Sequence, residues 1–338
     1  MPFRKRGWIA VAIMALSLAT IGWAQDTNTS SEPVVDGTLT ASQESFILPR
    51  SNHVVVIMEE NRSTSEAAQY MTYLKSLADQ YGQGLQVYSD SHGSWLAYGE
   101  LTSGLAPFGG EGDHGICNGD GCSQTISIDN IVRRLTASGK TWRGYFQGMP
   151  SIGYLGYQYG NYVRRHNPFA FYSDVVNDPA QQQNMFPADP YMLQDIVGNR
   201  LANFTWITPD LDHDAHNGNS DQLALIIADY YLRSFVPQLL ASAPFQSTGD
   251  GVLLVTFDEG EPQLDNRCGG DPDPNDCGGN IWSVVIGPKV RRHYVSNVHY
   301  MQGSQLHMIC DLLGVSPCPG DGATSPSMPD MFGGVGIP

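Results

Sequence analysis

The sequence predicts an α/β fold, a sheet with helices on both of its faces. Three observations predict it. Short apolar runs rich in β-branched residues alternate with segments of helical spacing along most of the chain, the order expected of strands joined through helices. Val54–Met58 (VVVIM) has no polar residue and Val252–Phe257 (VLLVTF) has a single threonine, as in strands covered on both sides. Hydrophobic residues make up 41% and aromatic residues 10% of the 338 residues, which suits a large core and argues against disorder.

Taken in order, the chain opens on Arg4, Lys5 and Arg6, followed by the apolar run Trp8–Ile21 and by Gly22 and Ala24 on either side of Trp23. This is the pattern of a cleavable secretory signal over residues 1–24. The run is shorter than the roughly 20 residues of a bilayer span. Residues 25–48 are polar and rich in Thr and Ser, and read as a flexible leader. Strand Val54–Met58 follows, then a helix over Ser65–Tyr81 with Tyr70, Leu74 and Leu77 at helical spacing. Strand Gly84–Tyr88 precedes a helix that starts near Trp95. A helix over Ile128–Ala137, strands Trp142–Phe146 and Phe204–Ile207, and a long helix over Gln222–Leu240 come next. Strands Val252–Phe257 and Trp282–Ile286 lead to a last helix, Ser304–Leu313. Residues 316–338 are rich in Pro, Gly and Ser and read as a loosely attached tail, which leaves 49–315 as the folded domain. No repeat of solenoid or propeller period is present.

Formal net charge is −16, and loss of the leader would remove three basic residues and no acidic one. Such a surface repels nucleic acid and anionic headgroups at long range, so no nucleic-acid partner is expected. An anionic substrate is still compatible with a cation in the site. Beyond the leader no segment reads as long and apolar enough to cross a membrane, so no transmembrane segment is expected in the mature form. Six cysteines fall in close pairs, Cys117 with Cys122, Cys268 with Cys277 and Cys310 with Cys318. Local disulfides in a secreted or periplasmic protein account for them, although spacing does not prove pairing; zinc would need tighter spacing and neighbouring histidines. The acidic stretch Asp265–Asn280 lacks the spacing of an EF-hand and reads as a solvated, disulfide-pinned loop.

In open α/β sheets the ligand crevice lies beyond the carboxyl ends of the strands. Glu59, Glu60 and Asn61 follow the first strand, Asp258 and Glu259 follow VLLVTF, Asp210 follows FTWIT, and Ser91–Ser94 follow LQVY. Oxygen donors converging at one rim suit a hard or borderline divalent ion, which makes Glu60, Asn61, Asp258 and Glu259 candidate ligands. Either pair alone would also fit a solvated strand end or helix cap. Ser94 sits at a helix start, where free amides favour anions. Its hydroxyl is a candidate nucleophile toward phosphorus, or only an N-cap. His92, His166 in YVRRHNPFAFY, and His213 and His216 in TPDLDHDAHNGN are candidates for holding phosphate oxygens or protonating a leaving group. The spacing from Asp212 to His216 also admits a second metal site. His53, His293 and His307 read as surface or core histidines.

MEENRS, SHGSWLAYGELTSG, YVRRHNPFAFY, NFTWITPDLDHDAHNGN and VTFDEGE occur in one order. In that order they resemble the bacterial phosphoesterase family of secreted acid phosphatases and phosphatidylcholine-type phospholipases C, within the alkaline phosphatase-like superfamily. The resemblance runs from about Asn52 to Val315. It implies a three-layer αβα sandwich around a central, mostly parallel sheet. It implies a divalent metal ion (Ca, Mn, Mg or Zn) on Glu60, Asn61, Asp258 and Glu259, with Ser94 as nucleophile and further ligand. His92, Arg165, His166 and Asp214 would then contact phosphate, and His92, His166, His213 and His216 would assist catalysis. Two departures stand out. The family's Pro-Asn after the nucleophile is Leu96-Ala97 here. Where the family has Asn-His or Asp-His before its last helix, this chain reads Met301-Gln302-Gly303-Ser304, with His299 out of register. The expected activity is hydrolysis of phosphate esters by a secreted, metal-dependent enzyme. Small phosphomonoesters are favoured, because the chain lacks the extra C-terminal modules of larger relatives. A phospholipase C-type action on a phospholipid is the alternative, with the aromatic segment Tyr154–Tyr172 as a lid, as is a catalytically silent homologue that binds metal and phosphate.

Overall fold

The computed structural model describes residues 48–105, 125–218, 220–261, 265, 267, 268 and 277–333. The elements follow the apolar runs. In chain order they are β1 (Val54–Glu59), α1 (Thr64–Tyr70), α2 (Thr72–Gln80), β2 (Gly82–Tyr88), α3 (Ser94–Ser103), α4 (Ile131–Ala137), β3 (Trp142–Phe146), β4 (Gln158–Tyr159) and β5 (Tyr162–Val163). Then come α5 (Ser173–Val176), α6 (Pro179–Gln182), β6 (Met185–Pro187), α7 (Ala188–Val197), β7 (Phe204–Thr208), α8 (Asp221–Ala241), β8 (Val252–Phe257), β9 (Asn280–Ile286), β10 (Tyr294–Ser296), β11 (Tyr300–Met301) and α9 (Gln302–Leu313).

The main sheet has the order β10-β2-β9-β8-β1-β7-β3-β6, with β11 also pairing β2. Only β9 runs antiparallel to its neighbours β2 and β8; the other pairs are parallel. β4 and β5 form a separate hairpin. Every side chain of β1, β8 and β9 is buried, because helices cover the sheet in two packed groups, α8 with α1, α2 and α7, and α3 with α9. This is the expected αβα arrangement. The parallel register sets Val54 beside Val252 and Glu59 beside Phe257. Residues 60 and 258 therefore leave the sheet side by side at its carboxyl rim.

Most predicted elements stand within a few residues of their predicted bounds, and the differences have physical causes. The single helix predicted over Ser65–Tyr81 breaks at Met71, because Asp229 of α8 accepts hydrogen bonds from the amides of Tyr73 (2.8 Å) and Leu74 (2.9 Å) and so caps a second helix. The helix predicted from Ile128 begins at Ile131, where the Asn130 side chain accepts from the Arg133 amide. α8 does reach the length and mean hydropathy (1.2) of a bilayer span, contrary to expectation. It nonetheless buries Leu225, Leu232, Phe235 and Leu239 among the core residues. Cys268–Cys277 and Cys310–Cys318 form disulfides. Cys117, Cys122, the signal segment and the leader up to residue 47 lie outside the described residues.

The tail is not loose over residues 316–333. Met328 and Met331 are fully buried, and Phe332 bridges to Val290. The Asp330 carboxylate accepts from the hydroxyls of Tyr294 (3.1 Å), Ser296 (2.5 Å) and Tyr300 (2.6 Å). Gly320, Gly322 and Pro329 lie in single 3-10 turns, Gly320–Ala323 and Pro329–Met331. Asp330→Ala would leave those three hydroxyls without their acceptor. We expect it to lower unfolding free energy by about 1–3 kcal/mol, measured by urea denaturation. A change within experimental error would show that the segment rests on the fold without supporting it.

Candidate active site

The site begins where β1 and β8 end. The Asp258 amide donates to the Glu59 carbonyl (2.9 Å), which locks the two strand ends together. Asn61 then turns with φ 45°, a left-handed conformation that asparagine tolerates better than most residues. The turn aims the Asn61 amide at Asp258 Oδ1 (2.8 Å), which also accepts from the Glu259 amide (2.6 Å). Asp258 Oδ1 is thereby saturated, whereas Asp258 Oδ2 and Asn61 Oδ1, both buried, find no hydrogen-bond partner among the described residues.

Ser94 opens α3, one residue after Gly93 at φ 106°, a conformation that side chains disfavour. Ser94 Oγ donates to Glu60 Oε2 at 2.9 Å. The loop before it is held by Glu259. Its Oε2 accepts from the Gly93 amide (3.1 Å) and pairs with His92 Nδ1, and its Oε1 accepts from Asn61 Nδ2 (2.9 Å). Both Glu259 oxygens are thus engaged in tying the serine loop to β1 and β8. His92 sits at this clamp.

Around Glu60 stand His166 and His216. His166 Nε2 lies 3.2 Å from Glu60 Oε1, and His216 Nδ1 lies 3.6 Å from Glu60 Oε2. His166 is buried, stacked on Tyr98 with ring centroids 5.4 Å apart, and Arg165 Nε reaches its Nε2 at 3.3 Å. Asp214 is buried behind them. Its carbonyl accepts from the Glu60 amide (2.7 Å), its Oδ1 accepts from the His216 amide (3.0 Å), and its Oδ2 lies 3.5 Å from His166 Nδ1. His213 stands apart from this group. It pairs with Asp210 (2.6 Å) and packs on Tyr231, because Ala215 at φ 74° reverses the chain between the two predicted histidines. Asp212 is tied outward to Asn161.

The electrostatics show a shortage of positive charge. Glu59, Glu60, Asp214 and Asp258 are fully buried. Burial first, and neighbouring carboxylates second, push Glu59, Asp214 and Asp258 well above the usual carboxyl range. Burial would raise Glu60 too, but His166 and His216 outweigh it and hold it at about 2. Burial lowers His166 to about 4 against the pull of Glu60. Among the described residues no three His, Cys, Asp or Glu side chains form a ready ligating group. The oxygens free to ligate are a mixed set from Asp258 and Asn61, with Glu60 and the Ser94 hydroxyl beside them.

Three supporting residues escaped the sequence reading. Tyr98, one turn into α3, supplies the surface on which His166 stacks. Arg62 is buried and donates to the carbonyls of Asn61 (3.2 Å) and His216 (3.3 Å) and to Asp221 (3.0 Å) and Glu261; its place in ENRS, beside two acids, was the available signal. Gln302, which the sequence marked only as a departure from the family pattern, is fully buried and donates to the Asp258 carbonyl. Ala97, the other departure, is fully buried in α3. His299 stacks on Tyr88 and bonds the Cys268 carbonyl, and is not part of the Glu60 group.

Residues 65–316 match the Phosphoesterase family. The chain is 26% identical over 290 residues to a phosphatidylinositol-3-phosphatase of Mycobacterium tuberculosis, covering 85% of this chain and 84% of that protein. It is 28% identical over 146 residues to a probable acid phosphatase of Kluyveromyces lactis, a match spanning 41% of this chain and 33% of the yeast protein. Among solved structures, a protein of the alkaline phosphatase superfamily from Vibrio parahaemolyticus superposes with a TM-score of 0.53 at 13% identity, over 87% of this chain and 71% of that one. The lipoteichoic acid synthase LtaP of Listeria monocytogenes gives 0.52 at 11% identity, over 84% and 78%. The chain belongs to the Phosphoesterase family, as a phosphoric ester hydrolase built on the alkaline phosphatase-like fold.

Proposed function

We propose that this chain hydrolyses phosphomonoesters, with Ser94 as nucleophile and a divalent cation held by Asn61, Asp258 and Glu60 at the serine. One observation carries the reading. The Ser94 hydroxyl donates to Glu60 at 2.9 Å in a rim where Asn61 Oδ1 and Asp258 Oδ2 are buried and have no hydrogen-bond partner among the described residues. Buried acceptors left unpaired cost about 1–3 kcal/mol each, and hard oxygen donors of this mixed kind suit a divalent cation. Glu259 serves the same group by holding the serine loop, and joins the ligand set only by releasing Asn61 or His92.

When bound, the cation would lower the pKa of the Ser94 hydroxyl and offset charge on the phosphoryl oxygens. The chain's own residues do the rest. Glu60 orients the Ser94 hydroxyl. Ser94 Oγ forms a bond to phosphorus as the bond from phosphorus to the leaving oxygen breaks. The departing alcohol takes up the proton that the Ser94 hydroxyl gives up, and water then attacks the phosphoserine, leaving its hydroxyl on the released phosphate and its other proton on Ser94. Arg165 and the partly exposed His216 would hold phosphoryl oxygens, and the start of α3 favours an anion there. His166 and Asp214 sit behind them as buried supports. The relatives' names, phosphatidylinositol-3-phosphatase and acid phosphatase, favour a monoester over a diester.

A chromogenic phosphate monoester assayed with Mn²⁺, Mg²⁺, Ca²⁺ or Zn²⁺ tests the reading. We expect metal-stimulated turnover that Ser94→Ala reduces by about 10³-fold or more in kcat; turnover unchanged in that variant overturns the nucleophile. Chelation should abolish turnover and added metal restore it. Asp258→Asn should raise the metal concentration for half-maximal rate by at least about 10-fold; a variant titrating like the parent removes Asp258 from the ligand set. Phosphate release from the monoester should also far exceed headgroup release from lecithin.

A further inference from the structure

We infer that Gln302 is a positioning residue for Asp258, so that the first side chain of α9 sets the direction of a proposed metal ligand. The inference rests on the function proposed above and concerns a residue outside the ligand and phosphate groups. Gln302 follows β11, which pairs with β2 at Val87 and Tyr88. Two strands away lies β8, with β9 between them. Adjacent strands are about 4.8 Å apart, so a side chain joining β2 to β8 must cross about 10 Å. A glutamine's own carbons cover only about 5 Å of this, but its tip carries both a donor and an acceptor, so a hydrogen bond on either side can complete the span.

The structure uses both. Gln302 Nε2 donates to the Asp258 carbonyl at 2.7 Å. Gln302 Oε1 accepts from Ser89 Oγ at 3.2 Å, a hydroxyl that shares its hydrogen with the Ser91 carbonyl at 3.0 Å. One residue thus links the ends of β2 and β8 and the start of the loop that leads to Ser94. Ser89, Gln302 and Asp258 are all fully buried, so no water competes for these bonds.

The consequence falls on the Asp258 carboxylate. Its Oδ1 is held by the amides of Asn61 and Glu259, so only Oδ2 is left to ligate. Where Oδ2 points depends on the peptide that Gln302 grips. Without that donor the buried carbonyl must turn to find another, and the carboxylate turns with it. A purely structural glutamine would behave otherwise, and the same helix provides one. Gln305, also fully buried, donates to Thr256 Oγ1 at 2.8 Å, and its Oε1 has no hydrogen-bond partner among the described residues, so its side chain bonds neither Asp258 nor the amides beside it.

The test compares Gln302→Met with Gln305→Met in the full chain. Methionine keeps the volume and removes the amide in each. Melting temperature is followed against Mn²⁺ concentration after chelation. Metal-free melting temperatures should fall in both variants. Apparent Mn²⁺ affinity should fall about 10-fold or more in Gln302→Met and stay within about 2-fold of the parent in Gln305→Met. Equal affinities in the parent and Gln302→Met, or equal losses in both variants, overturn the inference. Should Gln302→Met not fold, Ser89→Ala, which frees only the Oε1 end, decides the matter: an affinity about 2- to 5-fold below the parent supports positioning, and an unchanged one overturns it. A parent protein whose melting temperature Mn²⁺ does not move overturns the metal reading of the whole site, and this role of Gln302 with it.

Discussion

A group of carboxylates stripped of water at one rim of the sheet is the constraint on which this molecule turns. Charge in a dry interior is tolerated only when it is paired, hydrogen-bonded or neutralised by a proton. Here the chain supplies partners sparingly. Backbone amides of Asn61, Glu259, Gly93 and His216 serve Asp258, Glu259 and Asp214. His166 and His216 serve Glu60. Asn61 Oδ1, Asp258 Oδ2 and Asp214 Oδ2 stay without hydrogen bonds among the described residues. Apolar residues of the same size would pack more cheaply at such a rim, so the arrangement makes sense as a site and not as a core.

The fold makes that concentration of charge possible by stiffness. β1 lies between β7 and β8 in continuous parallel register, so Glu60 and Asp258 cannot slide apart without breaking both ladders. α3 is buried on nearly all its sides, with Trp95, Tyr98 and Leu101 packed inward, so its first residue has little freedom. Side chains presented by rigid elements hold geometry better than those on free loops. Backbone strain gathers at the same place. Asn61 and Ala215, two of the four non-glycine residues at positive φ among the described residues, bracket the Glu60 group. Such conformations persist where the surroundings over-determine them, and cluster at functional sites. The turn at Ala215 places Asp214 behind Glu60 while bringing His216 forward to it, which no regular element would do.

What the sequence disclosed follows from how local each signal is. VVVIM and VLLVTF announce strands because burial on both faces writes itself into every residue of the run. The acids that follow them are legible for the same reason, since the strand ends are known. The short strands β6, β10 and β11 have no such signature. They exist because a neighbour offers a ladder, and Met185–Pro187 or Tyr300–Met301 alone carry no period. The break at Met71 was hidden because its cause, Asp229, lies about 156 positions away. Gln302 was hidden in the same way: a glutamine at a helix start says nothing until Ser89 and the Asp258 carbonyl stand on either side of it. The tail was misread because Pro and Gly mark tight turns and slack chain alike, and only contact with Tyr294, Ser296 and Tyr300 tells them apart. His213 and His216 look equivalent in TPDLDHDAHNGN, and one residue of reversed backbone gives them different surroundings.

The acidic balance of the chain sharpens the problem the site must solve. At a formal charge of −16 the protein repels a phosphate ester at distances where individual contacts do not yet act. That repulsion is screened beyond about 8–10 Å at ordinary ionic strength, so what decides capture is the local field inside the rim. The Glu60 group alone would make that field repulsive, since its histidine partners are few and burial works against the charged form of His166. Arg165, His216 and the amides that open α3 reverse part of it, but their charge faces fully buried carboxylates across a few ångströms. On the proposed reading, a cation bound on the oxygens of Asn61 and Asp258 would invert the sign beside Ser94 and would leave the acidic exterior intact. Read this way, the unpaired acceptors and the acidic surface belong to one design: a chain that selects an anion by position, admitting it only where its own negative charge has been overcome.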